Sequence, residues 1–272
     1  MFTAALTRPD SRRTTLGRWA AGVAAFALFA VVVVQAGRAD AVANGEPVPD
    51  GRYRFSVKLT MIGIPTADGG RRDSACSGAL ITPTWIVTAG HCFRDVNGVR
   101  VDRPVADLTT ATIGRADLSK TRGPYRGVVR TVVAVRQSPT NDVAVAKLNA
   151  PVLAIRPLAL PAAAPTVGDV LRLTGYGATS SVNPQPSEVL MTGQVTVVGM
   201  DATRIGVTGL SPARDTSACP FDSGAPYFSE AGDRPVLVSV ENTGPDCPHA
   251  QIEVTARIDT IVSWIRQAVT RT

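Results

Sequence analysis

Three short segments of this 272-residue chain carry the residue types that hydrolysis of an acyl group uses: Thr88-Ala-Gly-His91-Cys92, Asn141-Asp142-Val-Ala-Val-Ala-Lys-Leu148 and Cys219-Pro-Phe-Asp222-Ser223-Gly224-Ala-Pro226. Such chemistry near neutral pH needs a nucleophile, a base that takes its proton, and a group that fixes the tautomer of the base. Histidine is the side chain whose charge changes in that range, and the chain has two, His91 and His249. His91 follows an apolar run and adjoins Cys92, which would hold its ring in place if disulfide-bonded. His249, between Pro248 and Ala250, reads as a solvent-facing loop residue. Asp142 heads an apolar strand, where a carboxylate shielded from water needs a hydrogen-bonding partner. Ser223 sits in a tight, glycine-containing turn.

The elements that must position these residues are short strands. Tyr53, Phe55, Val57 and Leu59 alternate with Arg54, Ser56, Lys58 and Thr60, the pattern of a half-buried strand. Trp85-Ile-Val, Val128 to Val135, Val143 to Leu148, Leu171 to Leu173, Val195 to Val198, Val236 to Val240 and Ile252 to Ile258 read the same way. With 20 prolines and 24 glycines concentrated between these runs, βαβ repeats and long helical bundles are excluded, and an all-β sandwich or pair of barrels is expected. One helix closes the chain: Ile258, Ile261, Val262, Ile265 and Val269 recur at helical spacing, with Asp259 or Thr260 as its cap. The proline-rich stretch from Ala150 to Pro165 marks the boundary between two halves.

A hydrophobic share of 44% with 18% charge excludes a disordered chain. Of the net charge of +6, +3 lies in the first 41 residues, and no Lys/Arg-rich run follows, so nucleic-acid binding is not expected. Those 41 residues have an arginine-containing head, an apolar run from Trp19 to Val34, and Ala39-Asp-Ala41, the layout of a cleaved secretory signal peptide. Ser11-Arg12-Arg13 also allows a twin-arginine signal. The alternative, an uncut membrane anchor, is disfavoured because the run falls short of the ~20 residues a span needs. The expected product is secreted, extracellular, free of the membrane after cleavage, and monomeric. Cys76, Cys92, Cys219 and Cys247 then reach an oxidising compartment, where disulfides are the default. Three pairings are open. The local one would close two short loops, each contributing about 3 kcal/mol. Metal-binding spacings such as CxxC or HxxxH are absent, and neither a metal nor a cofactor is expected.

Taken in order, these segments resemble the trypsin/chymotrypsin-like serine proteases. Thr88-Ala-Gly-His-Cys92 matches the histidine motif, Asp142-Val-Ala-Val the aspartate motif, and Asp222-Ser-Gly-Ala-Pro226 the serine motif with one change. Val42-Ala-Asn-Gly45 is similar to the family's mature amino terminus, Leu173-Thr-Gly-Tyr-Gly177 to the stretch entering its second half, and Val262-Ser-Trp-Ile265 to its last helix. The resemblance implies two six-stranded β-barrels, about 42–150 and 151–257, with the active site between them and the helix over about 258–270. It implies disulfides 76–92 and 219–247. His91, Asp142 and Ser223 would form the triad, and the main-chain N–H groups of Phe221 and Ser223 the oxyanion hole. Asp222 would pair with the α-ammonium of Val42, so that cleavage after Ala41 would itself activate the enzyme. Protein or peptide substrates and protein inhibitors are the implied partners. Activity is expected to rise with pH near neutrality, since His91 must be neutral to act as base.

The match also fails in places. Phe221 replaces a glycine that the family prefers before the Asp-Ser pair, and Ala225 replaces another. Ser239-Val240-Glu241 stands where the family has Ser-Trp-Gly beside the substrate. By register, Ser217 would lie at the floor of the specificity pocket and Glu253 would point in from the opposite wall, admitting basic or mixed side chains. The alternative for Glu253 is a solvent-facing position on an edge strand. The rival to a protease is a catalytically silent binding protein on the same fold, motivated by Phe221 and the altered substrate strand.

Overall fold

The computed structural model describes residues 42–270. The expected leader, residues 1–41, lies outside the described residues. Six strands close the first barrel: β2 (Ser56–Pro65), β3 (Arg71–Thr82), β4 (Trp85–Ala89), β5 (Leu108–Ile113), β6 (Val128–Gln137) and β7 (Val143–Leu148), in the order β2-β3-β4-β7-β6-β5. The second is closed by β8 (Val170–Gly175), β9 (Met191–Met200), β10 (Arg204–Ser211), β11 (Pro226–Ser229), β12 (Val236–Thr243) and β13 (Glu253–Arg257), with the short β1 (Glu46–Pro47) added to β9. The expected all-β fold of two six-stranded barrels with a C-terminal helix is therefore observed.

Alternation predicts β2 but understates its burial. Val57, Leu59 and Met61 face the first core, while Ser56 and Lys58 on the other face are also buried. The reason is the second barrel: Ser56 Oγ lies 2.8 Å from Thr174 Oγ1, and Lys58 Nζ donates to the Ser187 carbonyl at 2.8 Å. Tyr53 and Phe55 precede the strand rather than belong to it, and both rings meet Phe228 edge-on at 5.2 and 5.1 Å. The strand's second face and these aromatic rings thus join the two barrels.

The closing helix is shorter than its apolar spacing suggests. Asp259–Ile261 form a 3₁₀ turn and α1 runs over Val262–Thr270. Neither expected cap acts: Asp259 pairs with Arg257 at 2.6 Å, and Thr260 Oγ1 accepts from Asn141 Nδ2 at 3.2 Å. Ile261, Ile265 and Ala268 are buried against the body of the protein. No helix among the described residues is long and apolar enough to cross a membrane.

Candidate active site

His91 leaves the end of β4 on a 3₁₀ turn, Gly90–Phe93, and the Cys92–Cys76 disulfide ties that turn to β3. Asp142 directly precedes β7, which pairs with β4, so the sheet itself brings the two side chains together. Asp142 Oδ1 accepts the His91 main-chain N–H at 2.8 Å, and Oδ2 lies 2.7 Å from His91 Nδ1. A carboxylate can only accept, so Nδ1 carries the hydrogen and Nε2 is left with a free lone pair. Burial raises the Asp142 carboxyl pKa, but the bond and charge of His91, with Arg100 adding to them, outweigh burial and hold it below the usual range. Arg100 Nη1 lies 3.4 Å from Oδ1 and 2.8 Å from the Asn141 carbonyl. Asn141 Nδ2 in turn donates to the Arg257 carbonyl at 2.7 Å, anchoring this loop to the second barrel.

Ser223 occupies the turn between β10 and β11, secured by the Cys219–Cys247 disulfide. The Ser77 N–H donates to the Ser223 carbonyl at 2.9 Å, and the Gly224 N–H to the Glu241 carbonyl at 2.8 Å. Gly224 has φ +84° and presses against Thr88 and Ala89, so a side chain there would both strain the backbone and collide with the histidine strand. His91 and Ser223 line one cavity of about 410 Å³, together with Cys92, Pro220 and Phe221. The main-chain N–H groups of Phe221 and Ser223 donate to no other main-chain group among the described residues. Phe221 itself has φ +76°, a left-handed conformation that is costly for a residue with a Cβ.

Asp222 is fully buried and accepts from the Gly177 and Cys219 N–H groups at 2.7 and 3.1 Å. A Cβ on Gly175 or Gly177 would overlap its carboxylate, which explains the glycines of Leu173-Thr-Gly-Tyr-Gly177. Burial first, and the nearby Glu253 charge next, push its pKa up to about 7, against the pull of those donors and of the Val42 N–H. Val42 is buried, and Ala43 bridges to Ser217.

A second cavity, of about 200 Å³, also opens onto Ser223 and is lined by Ala218, Cys219, Glu241 and Glu253 among others. Ser217 is not in that lining; it is buried behind it, its Oγ accepting the His249 N–H at 3.2 Å. Glu253 is 3% exposed, on a strand paired on both sides, so the solvent-facing edge position does not apply. His249, expected in solvent, is 7% exposed because it packs beneath this pocket, 3.8 Å from Glu253.

Sequence reasoning gave no role to Arg100, Asn141 or Tyr227, and treated Glu241 only as a disturbance of the substrate strand. The signal for Glu241 was present: it shares a face of β12 with the buried Ser239, and a charge on such a face requires partners.

The profile of the Trypsin family matches residues 42–265. Suppressor of tumorigenicity 14 protein homolog of Bos taurus is 28% identical, over 85% of this chain and 28% of its own length. Serine protease 56 of Homo sapiens is 27% identical, over 83% and 38% respectively. A beta-fibrinogenase-like protein of Daboia siamensis is 26% identical, over 71% and 77%. The chain thus spans between 28% and 38% of the length of the first two of these relatives. A solved structure described as "Structure of GrC" superposes with a TM-score of 0.67 at 18% identity, over 85% of this chain and 100% of that one, a likeness of fold. With its two closed barrels and a family match spanning both, the chain belongs to the trypsin family of serine proteases.

Proposed function

We propose that this protein is an exported serine endopeptidase that acts through an acyl-enzyme, without a cofactor. The observation that carries the reading is the double hold of Asp142 on His91, at 2.7 Å to Nδ1 and 2.8 Å to the main-chain N–H, in a cavity whose wall includes Ser223. Nε2 of His91 takes the proton of Ser223 Oγ as the oxygen attacks the scissile carbonyl. The N–H groups of Phe221 and Ser223 stabilise the oxyanion, the term worth most in such reactions. His91 then gives its proton to the leaving amine, and water releases the acyl group by the reverse sequence.

Export into an oxidising compartment agrees with the two disulfides. Cleavage after Ala41 would make Val42 the first residue, and its α-ammonium would meet Asp222, whose carboxylate lies beside the Val42 nitrogen. Signal removal would then also be activation. The enzyme acts as a monomer on proteins or peptides and is open to protein inhibitors that fill the same cleft.

The second reading, a silent binding protein, draws on the left-handed Phe221 beside the oxyanion donors. Incubation of the exported protein with casein separates the two. An endopeptidase releases peptides, and Ser223→Ala lowers the rate by several orders of magnitude, on the order of 10⁶ for such a residue. Equal peptide release by both proteins, or none by either, would favour the binding protein.

A further inference from the structure

The pocket beside Ser223 contains a hydrogen-bond count that does not balance unless a proton is added. Glu241 and Glu253 are 4% and 3% exposed and both line the 200 Å³ cavity. Glu241 Oε2 and Glu253 Oε2 each lie 2.9 Å from the hydroxyl of Tyr227, which is fully buried on β11. That hydroxyl has one hydrogen and can donate to one carboxylate only. With both glutamates ionised, the other contact would set two lone pairs against each other in a site shielded from water. One carboxyl must therefore hold a proton and donate it to Tyr227.

The neighbours indicate which. Glu253 accepts the Ala218 N–H at 3.1 and 3.3 Å on its two oxygens, a stronger pull toward the ionised form than the Asn242 main chain exerts on Glu241, so the proton rests on Glu241. Burial pushes both carboxyl groups up, and the neighbouring Glu253 charge pushes Glu241 up further. No Lys or Arg lines the cavity. The charged or titratable groups around the pair are Asp222 in the serine turn, and Asp246 and His249 in the loop between β12 and β13. His249 Nε2 lies 3.8 Å from Glu253 Oε1, beyond hydrogen-bonding distance. Burial pushes the His249 pKa down, against a weaker opposing pull from the Gln251 main chain. The pocket is thus acidic and, among the described residues, lacks a resident counter-charge.

We propose that this cavity receives one cationic side chain, with Glu241 and Glu253 as a joint counter-charge, and that entry of the cation expels the proton they share. The balance is simple: the protonated pair and a cation give the doubly ionised pair with its bound cation, and one proton goes to solvent. A planar guanidinium, able to span two carboxylates, suits the pair better than a point-like ammonium. If the protein is the endopeptidase argued above, on which this assignment of the occupant rests, it cuts after arginine in preference to lysine, and strongly over neutral residues. Because a proton leaves, affinity for the cation rises by up to tenfold per pH unit while the empty pair remains protonated.

Benzamidinium is the probe, with uncharged benzamide as control. Calorimetric titration near pH 8, in buffers of different ionisation heat, should show benzamidinium binding with release of about one proton per site, and much weaker binding of benzamide. Glu253→Gln should weaken benzamidinium at least tenfold and abolish proton release. Glu241→Gln is the second variant should the first fail to give the near-ultraviolet dichroism of the folded protein. Equal binding of the two probes, binding without proton release, or indifference to both substitutions in folded protein would overturn the proposal. Labelling of the same preparations by a fluorophosphonate probe reports on Ser223 separately. Labelling without benzamidinium binding leaves the protease reading standing and removes this proposal; binding without labelling does the reverse.

Discussion

At Phe221 the backbone takes a conformation that its side chain opposes. Residue 221 turns into the left-handed region, with φ +76°, in the loop whose Phe221 and Ser223 N–H groups are proposed to bind the oxyanion. The Phe221 ring recovers part of this by packing near Cys219, Cys247 and Ala178. The two effects separate experimentally. Phe221→Ala and Phe221→Gly both lose the ring, but only glycine relieves the backbone, so the glycine variant should be the more stable by about 1 kcal/mol in denaturant unfolding. Equal stabilities would mean that the loop does not hold residue 221 at positive φ. Phe221 was legible as a departure from the family's glycine, because the serine motif fixes the register there. Its burial partners were not, since they come from residues 178 and 247, far off in sequence.

Among the elements, strands were legible where apolar residues alternate, as at 128–135 with exposed positions between buried ones, or form a short run buried on both faces, as at 236–240. β3 and β10 were not. Their sequences, Arg-Arg-Asp-Ser-Ala-Cys-Ser-Gly-Ala-Leu-Ile-Thr and Arg-Ile-Gly-Val-Thr-Gly-Leu-Ser, are broken by small and polar residues that accommodate neighbouring strands and the serine turn. Ser77 on β3 is an example: its N–H and hydroxyl both serve carbonyls of the serine turn, a role invisible to an apolar-alternation test. The Asp142 loop shows the same principle in energetic form. Asn141 is 2% exposed and donates to Arg257 in the second barrel, so Asn141→Ala should cost about 1–3 kcal/mol by stranding that carbonyl. It should also lower kcat by tenfold or more, because Asp142 follows directly and orients His91. A variant with unchanged kcat and reduced stability would show that this anchor serves folding alone.

Across the whole molecule, His91 and Asp142 come from the first barrel and Ser223 from the second, and Asp222 lies where the amino-terminal segment meets the serine turn. In a chain still extended beyond Val42, burial places the Asp222 pKa at about 7. The folded value lies above the unfolded one, so stability from this group is present at pH 4 and is lost as pH rises through 7. A free α-ammonium on Val42 would lower that pKa and remove the loss. A chain beginning at Asp40 should therefore fall behind one beginning at Val42 by about 2–4 kcal/mol between pH 5 and pH 7.5, read from thermal or denaturant midpoints. The buried glutamates affect both chains alike, so the difference isolates Asp222. Parallel pH profiles would contradict the ion pair.

All of this converges on whether Ser223, His91 and the oxyanion donors act together. The most direct measurement is reaction of the protein beginning at Val42 with a fluorophosphonate probe, with the adduct located by peptide mass and Ser223→Ala as control. The predicted result is a single adduct on Ser223 that the substitution abolishes. Absence of an adduct on correctly processed, folded protein would contradict the account and identify the molecule as a binding protein built on a protease fold.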